Sequence, residues 1–125
     1  MKKRIIRAIS LLLLSMMCAG LLAACVNFDK AERRLEEAGY VVSRYGKGAP
    51  EHLVDAVDKD VESSIVATGG PNGESISIIR FKEKEFAEKF YALQKKTNGS
   101  KYFMTVERDG RTVIYGWTSA YEVIK

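Results

Sequence analysis

Two kinds of hydrophobic pattern share this chain. An uncharged run of 19 residues, Ala8 to Val26, comes first; after it, apolar residues recur at helical or strand spacing between polar ones. Asp29 and Glu32 form a capping box, Ala31, Leu35 and Ala38 make a stripe at helical spacing, and Gly39 is a stop, so a helix is predicted over 30–38. Tyr40 to Tyr45 is β-branched and aromatic and reads as a strand, ended by Gly46-Lys47-Gly48-Ala49-Pro50. Glu51 to Glu62 is the least determined stretch. A short helix there would turn Leu53, Val54, Ala56 and Val57 inward and leave Asp55, Asp58, Asp60 and Glu62 in water.

Ser64 to Thr68 and Ser75 to Phe81 read as two strands of a hairpin, joined by the glycine-rich Gly69 to Glu74 loop. Lys82 to Lys96 carries the strongest helical pattern: Phe86, Phe90 and Leu93, flanked by Ala87 and Tyr91, form one apolar face, and Glu85 and Lys89 form an i,i+4 pair. Asn98-Gly99 ends it. Asp109-Gly110 suits a two-residue type I′ turn. Counting back from that turn pairs Val106 with Val113, Met104 with Tyr115 and Tyr102 with Trp117 on a core face, leaving Glu107–Thr112, Thr105–Ile114 and Phe103–Gly116 opposite. Ser119 to Glu122 offers a second capping box for a short terminal helix. The predicted class is α+β, a small antiparallel sheet of about five strands with helices mainly on one face.

The first apolar run differs in kind. Met1-Lys2-Lys3-Arg4-Ile5-Ile6-Arg7 precedes it and small residues close it, the layout of a secretory signal peptide. Its basic start holds that end in the cytoplasm, so the remainder crosses. Leu22-Ala23-Ala24-Cys25 resembles the lipobox of bacterial lipoproteins. That resemblance implies cleavage between Ala24 and Cys25, a diacylglyceryl group on the Cys25 sulfur, and a membrane lipid partner through it. Two acyl chains anchor stably where one binds only marginally. The alternative is an uncleaved transmembrane helix, whose minimum length of about 18 residues the run reaches; both give the same topology. Domain organisation follows: 1–24 signal peptide, 25–28 lipidated cysteine and short tether, 29–125 one α+β domain. The mature part, including Val113-Ile114-Tyr115-Gly116 before a helix, is similar to small uncharacterised lipoproteins of low-GC Gram-positive bacteria. No site carries over from them.

Composition narrows function. Lys2, Lys3, Arg4 and Arg7 account for four of the 20 basic residues, leaving 16 against 16 acidic ones after Cys25. A formally neutral domain on the outer side of a membrane argues against nucleic acid as a partner. Cys18 departs with the signal peptide and Cys25 would carry lipid, so the domain has no disulfide, thiol nucleophile or thiolate metal site. Val26, Asn27 and Phe28 span at most about 10 Å, which keeps the domain close to the lipid.

Candidate chemistry is sparse. His52, the one histidine, has no G-x-S-x-G elbow to serve and reads as a surface residue. Asp58, Asp60 and Glu62 alternate like a calcium loop, but Ser63 and Gly69 occupy the positions that need Gly and Glu. Gly69, Gly70 and Gly73 lack the Lys-Ser/Thr and helix of a phosphate loop. Lys95, Lys96 and Lys101 have no acid nearby and could rest on anionic headgroups. Among twelve aromatics, Tyr45, Trp117 and Tyr121 are candidates for a contact surface. The expectation is an extracytoplasmic, lipid-anchored binding or scaffolding domain, with no catalytic residue, metal or cofactor. The alternatives are a small envelope hydrolase using His52 with Asp55 or Glu51, and a small-ligand carrier, for which 100 residues leave little room for a pocket of about 300 Å³.

Overall fold

The computed structural model describes residues 26–125. The expected signal peptide, the expected cut between Ala24 and Cys25 and the expected lipidation of Cys25 lie outside the described residues. Three helices and five strands follow one another: α1 Phe28–Glu37, β1 Val41–Gly46, a 3-10 turn Glu51–Leu53, β2 Val61–Thr68, β3 Ile76–Phe81, α2 Lys84–Asn98, β4 Met104–Asp109, β5 Thr112–Trp117 and α3 Thr118–Ile124. The strands form one sheet in the order β1-β2-β3-β5-β4, with every neighbouring pair antiparallel. This is the α+β arrangement that the sequence predicts.

Period-2 alternation places the helices. Ile65 and Ala67 of β2, Ile76 and Ile78 of β3 and Ile114 of β5 point to one face, where α1 supplies Phe28, Ala31 and Leu35 and α3 supplies Ala120. Ile79 and Phe81 of β3 with Val113 and Tyr115 of β5 point the other way, onto Phe86, Ala87 and Phe90 of α2. Two helices thus cover one face and the third covers the other. Val26 to Lys125 thus contains two apolar clusters of its own, one on each face of the sheet. Among the described residues, no helix is long and apolar enough to cross a membrane.

Several local expectations shift. The α1 cap is Asn27, whose Oδ1 accepts the Lys30 N–H at 3.1 Å. Asp29 therefore falls inside the helix, where its carboxylate is free to pair elsewhere. Glu51 to Glu62 forms no helix beyond one 3-10 turn; Val61 and Glu62 already belong to β2, and most of the loop is exposed. Leu93 sits at the margin of the α2 stripe and is 58% exposed. In α3 the cap position is Trp117, with no side-chain cap hydrogen bond, so the Ser119 box does not form.

The last hairpin turns on Gly110-Arg111, pairing Asp109 with Thr112, Val106 with Tyr115 and Met104 with Trp117. Gly110 takes φ +57° and no non-glycine residue among those described has positive φ, which fits the type II′ requirement of glycine at the first central position. Each partner moves by two residues from the expected register, so the division into faces survives. The core does not match the expected set, because helices bury both faces: Val106 and Val113 are buried, but so are Thr112 and Ile114, while Tyr102 and Trp117 are exposed.

Candidate functional site

Strands β1, β3 and β5 bring a polar row to one end of the face that α1 and α3 cover. Alternation puts Arg44 on the same side of β1 as Val42, and Arg80 on the same side of β3 as Ile76 and Ile78, with Thr112 beside Arg80 in register. Two guanidiniums therefore emerge from an apolar face at the margin of the core. Phe28, at the start of α1, lies between them: Arg80 stacks 4.5 Å from its ring centre and Arg44 5.9 Å, within cation–π range.

Each guanidinium is further fixed. Arg80 donates through Nη2 to the Val26 carbonyl at 2.7 Å and through Nε to Thr112 Oγ1 at 3.4 Å. Arg44 is largely buried and donates through Nη1 to Asp29, with Glu32 at 3.4 Å from the same nitrogen. Its Nε is buried and has no hydrogen-bond partner among the described residues. Such a group carries a desolvation cost of about 1–3 kcal/mol, more when charged. On the far side of Arg44, Gly48 stands so close that a Cβ there would lie 2.9 Å from Nη2. Arg111 completes the row, reaching Glu62 at 3.7 Å and the carbonyls of Phe81 and Lys82 at 3.4 and 3.3 Å.

The row floors two clefts, of about 1060 and 320 Å³, that share Phe28, Arg44 and Arg80. The rim of the larger comes from both ends of the described chain: Val26 and Asn27 on one side, Ile124 and Lys125 on the other, where Arg34 donates to the Lys125 carbonyl at 3.1 Å. Seven cations and two carboxylates line the clefts together. There is more room than the chain length suggests, because the space is a partly open cleft between two chain ends and the sheet.

The opposite end of the sheet is different. Phe103 stacks against Trp117 with ring centres 4.9 Å apart, and Tyr102 meets Phe103 edge-on at 5.4 Å. Tyr102 is 95% exposed and Trp117 36%. This aromatic corner lies where β4 begins, whereas His52 follows the far end of β1, on the other edge of the sheet. The two occupy diagonal corners. His52 is exposed and lines neither cleft.

The other sequence-level candidates disperse. Tyr45 is half-buried on edge strand β1, and Tyr121 packs on the α1/α3 core and lines the larger cleft, so only Trp117 of that trio joins an exposed patch. Lys95 and Lys96 at the end of α2, and Lys101 just before β4, belong to the aromatic end and lie away from the tether. No group of acids and histidines among the described residues is arranged to hold a metal. Arg44 and Arg80 were accessible in principle, since strand parity places each charge on an inward face. The register counted from Asp109-Gly110 sets Phe103 beside Gly116, where the structure has Thr105. No family model, curated protein or solved structure matches the chain.

Proposed function

We propose that the chain is a lipoprotein, exported and acylated on Cys25, whose α+β domain binds another envelope protein on the side of the membrane away from the cytoplasm without catalysing a reaction. The observation that carries the binding reading is the stacked Tyr102–Phe103–Trp117 corner, whose Tyr102 and Trp117 are exposed in a domain whose other large aromatics are buried or half-buried. Rigid aromatic side chains are the residues that most often dominate protein interfaces. The exposed position of His52, outside both clefts, supports binding over a His52-based hydrolase.

A photo-crosslinker at Tyr102 in the anchored protein should join it to one discrete envelope protein, and Phe103→Ala with Trp117→Ala should abolish that product. A crosslinker at His52 should not yield it. Equal products from both sites would contradict the proposal. The anchor has its own readout: Cys25→Ala should leave the precursor uncut and without fatty chains by intact mass, and a variant with the mass and membrane retention of the native protein would refute acylation at that sulfur.

A further inference from the structure

We infer that the guanidinium-lined cleft receives the phosphate of an anionic phospholipid headgroup, seating the tether end of the domain on the membrane. The site's anion preference stands on its own geometry; its membrane location rests on the anchored reading.

Charge is the first support. The sequence after Cys25 is balanced at 16 cations and 16 acids, yet the two clefts carry seven cations against two carboxylates. Outside the clefts nine cations stand against fourteen acids. A neutral total hides a cationic end.

Preorganisation is the second. Asp29 and Glu32 both address Nη1 of Arg44, Nη2 packs against Gly48, and the buried Nε has no partner among the described residues, so the guanidinium is fixed at the cleft that it lines. Guanidinium edges recognise phosphate by paired N–H donors. Stacking on Phe28 holds Arg44 and Arg80 in place beforehand, which lowers the ordering cost of binding.

Location is the third. Val26 lines the larger cleft and its carbonyl is held by Arg80. One peptide unit, about 3.8 Å between Cα atoms, separates Val26 from Cys25. An acyl group on that cysteine would enter the bilayer beside the cleft. The half-buried apolar side chains of Val26, Tyr121 and Ile124 at the same mouth suit the boundary between headgroup and acyl chain.

The test uses the stretch Val26 to Lys125, which holds both core clusters, with vesicles of phosphatidylcholine alone or doped with phosphatidylglycerol. Sedimentation should show binding only to the doped vesicles, weakening with salt. Arg44→Gln with Arg80→Gln should lower affinity about 25-fold, each cation near such a surface contributing about fivefold. Lys30→Gln with Lys125→Gln, both exposed, should act in the same direction with the fold untouched. Lys95→Gln with Lys96→Gln makes the same charge change at the far end, beyond a screening length of about 10 Å, and should alter affinity less than about twofold.

Equal losses from the near and far pairs would overturn the inference, as would equal binding to both kinds of vesicle. Tight binding of glycerol phosphate in solution by a chain that ignores the doped vesicles would also overturn it, identifying a soluble anion as the occupant. Because the chain in this assay carries no lipid, its failure leaves the Cys25 mass and the Tyr102 crosslink standing, and the reverse holds too.

Discussion

Glu74 shows how far one carboxylate can organise a loop. It is buried beneath the β2–β3 connection, and its Oε2 accepts the Asn72 N–H at 2.9 Å. That backbone hydrogen bond, followed by the one from its own N–H, pulls its pKa below the ordinary value near 4.5. Tyr40 beside it is pushed up by burial and then by the Glu74 charge. A carboxylate with a depressed folded-state pKa stabilises the fold above its unfolded value and loses that contribution as pH falls through the folded one. Urea midpoints taken below pH 4.5 should therefore fall less steeply for Glu74→Gln than for the native chain. Asp109, raised by burial against the opposing pull of Arg108, works in the other direction, so Asp109→Asn should steepen the same loss. Little of this was legible beforehand, because the Gly69 to Glu74 stretch has turn composition and a turn explains it. What makes Glu74 special is Tyr40 and Gly70 closing over it, where a Cβ on Gly70 would lie 2.7 Å from the Tyr40 ring. That contact joins residues distant in sequence.

Elements obeyed their hydrophobic periods, and the misses came from what those periods leave open. Leu35 and Leu93 make the comparison. Leu35 lies in the Ala31–Leu35 stripe of α1 and is completely buried, whereas Leu93, on the margin of the α2 stripe, is mostly exposed. Leu35→Ala should cost about 2–5 kcal/mol, and Leu93→Ala at most about 0.5 kcal/mol; denaturant unfolding with an unchanged slope would check both. Similar losses at the two positions would contradict the packing described. The final hairpin slipped because Asp109-Gly110 and Gly110-Arg111 are both acceptable two-residue turns, and moving every partner by two residues keeps each side chain on its face. Pattern fixes faces more firmly than partners. Arg44 and Arg80 are hard to read for the opposite reason: a charge in a strand reads as its wet side, and only the apolar neighbours two residues away place these two inward.

At the scale of the molecule, the sheet keeps two surfaces apart. Its six-residue outer strands are about 20 Å long, with the cationic clefts and the chain's entry at one end and the Tyr102–Phe103–Trp117 corner at the other. Composition could not show this, because a charge total carries no positions. An anchor at Cys25 would present the arginines to lipid and the aromatics to a partner standing off the membrane. Trp117 is the single tryptophan, which makes the orientation measurable in the acylated protein on vesicles doped with phosphatidylglycerol. Quenchers carried on the lipid headgroups should leave Trp117 emission unchanged while quenching a fluorophore attached at Lys30. Strong quenching of Trp117 with a bright probe at Lys30 would invert the orientation and contradict the account.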